Sequence, residues 1–144
     1  MSRRSRAAAT AGFSLLEVAV VAALVGVVLA LALTGWRGYS AQQRLRYGTA
    51  QVATDLRQAQ ERAKAERVVY TVTFVASSPN YTIARSGGGF LENATLPEGV
   101  TSTASVTVTF SAFGRPDAAH TITVQSSAGT GVVTVTELGG ISYQ

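Results

Sequence analysis

Apolar and polar positions divide the chain into three stretches of different periodicity. Residues 1–12 are basic, small and polar. From Val18 to Leu33 sixteen residues follow without a charged or polar side chain. Counted from Phe13, the apolar stretch has 21 residues; as a helix it spans about 31 Å at ~1.5 Å per residue, enough to cross a bilayer. From Arg44 to Arg67 no proline interrupts the chain. There Leu45, Thr49, Val52, Leu56, Ala59 and Ala63 recur at alternating spacings of four and three, one face of an α-helix. This stripe predicts the helix's seat on the chain's own sheet, with the intervening Gln, Arg, Lys and Glu residues on a solvated face. Gly35 and Gly38 are expected to loosen the helix between the two stretches, since glycine costs about 1 kcal/mol relative to alanine in a helix interior.

After Arg67 the period shortens to two. Strands are predicted at 68–75, 81–85, 105–110, 121–124 and 132–136, where β-branched and aromatic residues alternate with polar ones. Turns are predicted at 77–80, 87–89, 96–100 and 113–116, and a connection at 126–131. Gly87-Gly88-Gly89 lacks a following Lys-Ser/Thr and a helix, so it reads as a hairpin tip rather than a phosphate loop. One long helix followed only by strands implies an α+β fold, with the helix packed on an antiparallel C-terminal β-sheet domain. The expected segments are a leader at 1–12, an apolar helix at 13–35, its amphipathic continuation at 36–67 and a β-rich domain at 68–144.

The apolar stretch resembles the core of a secretory signal, but no A-x-A-like cleavage site follows Leu33, and the chain goes on as Thr34-Gly35-Trp36-Arg37. Trp36 suits a membrane interface and Arg37 its polar edge. Arg3, Arg4 and Arg6 before the stretch place the N-terminus in the cytoplasm by the positive-inside rule, and the C-terminal domain outside it.

Charge is distributed unevenly. The sequence isoelectric point is about 10, yet past residue 12 nine basic residues face eight acidic ones. From Val68 onward only Arg85 and Arg115 are basic, against Glu92, Glu98, Asp117 and Glu137. A general nucleic-acid surface is therefore disfavoured. There is no cysteine, which excludes disulfides and Cys–zinc sites. The acids lack metal-ligand spacing, so no metal or cofactor is expected. His120 has no second histidine or nucleophile motif beside it, so it reads as structural and no enzyme is expected. Asn80-Tyr81-Thr82 and Asn93-Ala94-Thr95 match the N-glycosylation pattern and carry no assigned role.

Glu17 remains: one carboxylate at the head of an apolar helix, costing roughly 2.5–3.5 kcal/mol if placed at the helix centre in a bilayer. Gly12-Phe13-Ser14-Leu15-Leu16-Glu17, after a basic leader and before the apolar run, resembles the class III signal of type IV pilins and type II secretion pseudopilins. The resemblance implies cleavage by a prepilin peptidase between Gly12 and Phe13, and N-methylation of Phe13. Cleavage turns the Phe13 amide nitrogen into a cationic amine. Glu17 lies one helical turn away, so amine and carboxylate can pair within one chain or between staggered neighbours. The family implies the second, with Glu17 as the assembly residue. It also implies other pilin or pseudopilin subunits and an inner-membrane assembly platform as partners, and a bacterial inner-membrane subunit that enters a periplasmic or extracellular filament.

Two further blocks, Leu56-Arg57-Gln58-Ala59-Gln60-Glu61-Arg62-Ala63 before a strand and Phe110-Ser111-Ala112-Phe113-Gly114-Arg115-Pro116 before two strands and Gly139-Gly140, resemble the H-type pseudopilins and their minor-pilin relatives. That group implies a structural minor subunit of a secretion pseudopilus or type IV pilus. Its alternative is a minor pilin that contacts DNA during uptake, for which this chain offers Arg115, with Arg85 as companion.

Overall fold

The computed structural model describes residues 14–144, with side chains throughout except at 33–37. Two units meet between Arg37 and Gly38, and each is described by itself. Helix α1 runs Leu15–Glu66, and the backbone stays helical at Gly35 and Gly38. The first unit holds the helix Leu15–Ala32, with mean hydropathy 2.7 and no part buried in the chain's own structure. By length and composition it can cross a membrane.

The second unit contains every buried apolar side chain among the described residues, from Leu45 to Val135. It therefore has a core of its own. Eight strands follow the helix: β1 (Tyr70–Phe74), β2 (Asn80–Arg85), β3 (Leu91–Thr95), β4 (Thr101–Ser102), β5 (Val106–Phe110), β6 (His120–Ser126), β7 (Gly129–Val135) and β8 (Ile141–Tyr143). They form two four-stranded antiparallel sheets, β3-β2-β1-β5 and β4-β6-β7-β8, where the sequence pattern predicts a single sheet domain. The pattern misses β3, β4 and β8, which are short, exposed or polar. The predicted connection at 126–131 is mostly strand: β6 and β7 pair out to Ser126 and Gly129, leaving a two-residue turn. Gly87–Gly89 is the tip joining β2 to β3, and all three glycines have positive φ.

Alternation decides which faces meet. Tyr70, Val72 and Phe74 of β1, Tyr81 and Ile83 of β2, and Val108 and Phe110 of β5 point inward, as do Ile122, Val124, Val133 and Val135 of the second sheet. The helix covers both. Val52, Leu56, Ala59 and Ala63 are fully buried, with Leu45 and Thr49 nearly so; this is the predicted stripe seated on the chain's own sheets. Burying each Val or Leu contributes roughly 1.5–3 kcal/mol. Small residues let backbones come close. A Cβ on Gly131 of β7 would stand 2.1 Å from Thr49 Oγ1, and one on Gly48 would stand 3.2 Å from Pro97 and Val100.

The intervening residues are largely exposed, as the sequence predicts, among them Arg46, Gln58, Glu61 and Lys64, while Gln60 is buried; some of them also reach the sheets. On one side Gln51 donates to Thr95 O (3.1 Å) and Arg62 meets Glu92 (3.2 Å), both on the first sheet. On the other, Arg57 donates to Ile141 O (2.8 Å) on the second. These polar groups link the helix to the sheets while remaining partly or largely exposed.

Candidate functional site

Glu17 lies in the first turn of α1. Ser14 stands before the helix, and its carbonyl accepts the N–H groups of Glu17 (2.9 Å) and Val18 (3.1 Å). Ser14 and Glu17 have the Ser-x-x-Glu spacing of a capping box, a pattern visible in the sequence. A carboxylate here also faces the positive end of the helix dipole. Below Glu17, Val18, Val21, Ala22 and Val25 continue down one side of the helix and bound a shallow apolar hollow with it. Leu15, Leu16 and Val18 are exposed. The arrangement presents one anionic group at the head of an uncovered apolar stripe. Gly12 and Phe13 lie outside the described residues.

In the second unit, polar side chains are already engaged in holding the fold. Gln60, almost fully buried, donates from Nε2 to Gly114 O (2.8 Å) and Gly139 O (3.1 Å). It thereby joins two turns from the blocks that carry the H-type resemblance. Tyr81 donates its hydroxyl to Asp55 Oδ2, and Gln51 Nε2 donates to the Tyr81 oxygen (3.0 Å). Burial pushes the Asp55 carboxyl above the ordinary carboxylate value of 3.8, against the downward pull of the Tyr81 hydrogen bond. Burial, then the Asp55 carboxylate, push the Tyr81 hydroxyl far up, so it stays a donor. His120 Nε2 lies 2.9 Å from Asp117 Oδ1, which also accepts the Thr109 amide (3.1 Å). Burial raises Asp117, but the bonds from His120 and Thr109 outweigh it and hold the carboxyl below its usual value. His120 is thus a bracket between β6 and the turn after β5. Among the described residues no group of three or more His, Cys, Asp or Glu could hold a metal ion.

The two arginines considered for DNA are placed differently. Arg85 Nε lies 3.1 Å from Glu66 Oε2, an ion pair whose angle falls outside hydrogen-bond geometry. Glu66 also accepts the Tyr70 hydroxyl (2.9 Å). Arg115 is exposed on the turn after β5.

Comparison with solved structures yields a type IV minor pilin, FimU of Pseudomonas aeruginosa strain PAO1, in two crystal forms. One superposes with a TM-score of 0.59 at 14% identity, covering 74% of this chain and 92% of that one. The other gives 0.54 at 14% identity, covering 69% and 92%. The fold is pilin-like. The pilin fold accounts for the order seen here, a long N-terminal apolar helix continuing into an amphipathic half seated on antiparallel strands. No family model and no curated protein matches the sequence.

Proposed function

We propose that this chain is a structural subunit, a minor pilin or pseudopilin, of a filament built in a bacterial inner membrane. The observation that carries the reading is the conjunction of the pilin fold with an apolar helix uncovered along its whole length. That helix is headed by Glu17 within the Gly12–Glu17 motif. A prepilin peptidase cuts after Gly12 and methylates Phe13. Helices 15–33 of neighbouring subunits then cover one another, and each Glu17 pairs with the Phe13 amine of a neighbour. An unpaired carboxylate among apolar helices costs several kcal/mol, so the pairing also sets helix register. A secretion pseudopilus of the H type and a type IV pilus both accommodate this role, with the assembly platform as the further partner. The subunit is acted on by an enzyme and has no catalytic centre of its own.

The test is processing. Gly12→Leu places a branched side chain beside the scissile bond, and mass spectrometry of the membrane fraction is expected to find full-length precursor. Processing at the wild-type rate would sink the peptidase reading. The DNA-contact reading rests on Arg115 alone once Arg85 is held by Glu66. One phosphate contact gives weak, salt-sensitive affinity, so the filament-subunit reading is preferred.

A further inference from the structure

Two turns of the second unit meet over α1 near its C-terminal end. The turn after β5 is closed by its own bonds: Gly114 N–H donates to Ser111 O (2.7 Å), Ser111 N–H to Arg115 O (2.8 Å) and Arg115 N–H to Ser111 Oγ (3.1 Å). The turn after β7 is closed likewise: Gly139 N–H donates to Thr136 O (2.9 Å), Thr136 N–H to Gly140 O (2.8 Å) and Gly140 N–H to Thr136 Oγ1 (2.9 Å). Gln60 ties the two together through Gly114 O and Gly139 O. A Cβ on Gly139 would stand 3.5 Å from Gly114 O, so the two backbones are in contact. The residue before each of these glycines is large and apolar. Phe113 is 72% exposed and Leu138 87%, the two highest values for large apolar residues of this unit. Both are therefore held out on backbone that is already ordered, so a contact made by them costs little further entropy.

We propose that these paired turns are a contact for an anionic lipid surface, into which Phe113 and Leu138 insert. The charges around them fit that occupant. Lys64, whose methylenes lie across Gly114, is paired with Glu61 (2.8 Å). Arg67 lies 6.0 Å from the Phe113 ring, and Arg115 follows Phe113 by two residues. Neither arginine forms an ion pair among the described residues, and neither does Glu137 beside Leu138. One positive charge is thus in excess, with both free guanidinium groups beside the aromatic ring. A guanidinium matches the oxygens of a phosphate headgroup, while apolar side chains enter the boundary between headgroups and acyl chains. A lipid surface takes two projecting side chains without a matching socket. Nucleic acid would engage the arginines and leave Phe113 and Leu138 in water.

The fragment 38–144, which has its own core, is labelled with nitrogen-15 and mixed with vesicles of phosphatidylethanolamine and phosphatidylglycerol that carry a spin label on an acyl chain. It is expected to sediment with the vesicles, and the label should broaden the amides of the 111–116 and 137–140 turns most. Phe113→Ser combined with Leu138→Ser should abolish sedimentation and leave the melting curve in place. Arg115→Gln should raise the lipid concentration for half-binding about fivefold, and Glu137→Gln, which removes the unpaired acid, should lower it about fivefold. Failure to sediment, broadening centred elsewhere, equal binding to phosphatidylcholine alone, or undiminished binding by the double serine variant each overturns the proposal. If that variant melts early, Glu137→Gln decides alone, and an unchanged half-binding concentration refutes the site. Binding to a DNA duplex but not to vesicles assigns the arginines to nucleic acid and also overturns it.

Discussion

Asp55 shows how a single carboxyl can make stability depend on pH in the direction opposite to most surface acids. Its folded value lies above 3.8, so the folded chain holds the proton more tightly than the unfolded one. Its contribution is most favourable below 3.8 and is lost as pH rises through the raised folded value. Asp117, held below 3.8, has the reverse sign: its contribution is present above 3.8 and lost as pH falls through the folded value. Asp55→Asn keeps an acceptor for the Tyr81 hydroxyl and removes the titration. Melting curves of the variant between pH 3.5 and 7 should therefore lack the decline that Asp55 imposes on the wild type; an unchanged slope would show that Tyr81 fully compensates the carboxylate. Tyr81→Phe deletes the donor beside a half-buried acid and should cost about 1–2 kcal/mol in urea unfolding.

At the scale of elements, helix α1 is fixed at both ends of its seat by local backbone geometry. Its C-terminus closes with Val68 N–H on Ala63 O (3.3 Å), while Arg67 takes φ 55°, a position where glycine is usual. Arg67→Gly should raise stability by about 0.5–1 kcal/mol; its guanidinium lies 6.0 Å from the exposed Phe113 ring and offsets little of that. Where β7 meets the helix, Gly131→Ala should cost about 1–3 kcal/mol by overpacking. Combined with Thr49→Ala, which removes the oxygen in the way, the loss should be smaller than the sum of the two changes. The helix stripe, the strands of the core and the Gly87–Gly89 tip were legible in the sequence because burial imposes a period on them. Strands β3, β4 and β8 were not, because LENAT and ISY expose most of their side chains, TS has only two residues, and all three exist through pairing with a longer neighbour. The split into two sheets was likewise invisible, since alternation reports which face is buried and not which strand is adjacent. At the candidate site, Gly12, Phe13 and Glu17 stood out through motif and cost. The role of Gln60 depends on residues more than fifty positions away, and no local pattern encodes it.

At the scale of the whole molecule, the described residues of one unit form a core and those of the other an uncovered apolar surface. If the chain is the filament subunit proposed above, Glu17→Ala leaves the second unit's melting curve unchanged and membrane insertion intact, while subunits recovered in sheared filaments fall at least several-fold. Equal incorporation would show that register is set without the ion pair. Within the second unit, Gln60 binds Gly114 and Gly139 across sequence separations of 54 and 79 residues. Closing loops of that length carries an entropy cost before the two bonds can form. The 111–116 and 137–140 turns are therefore expected to be the last parts of the domain to lock during folding and the first to unlatch.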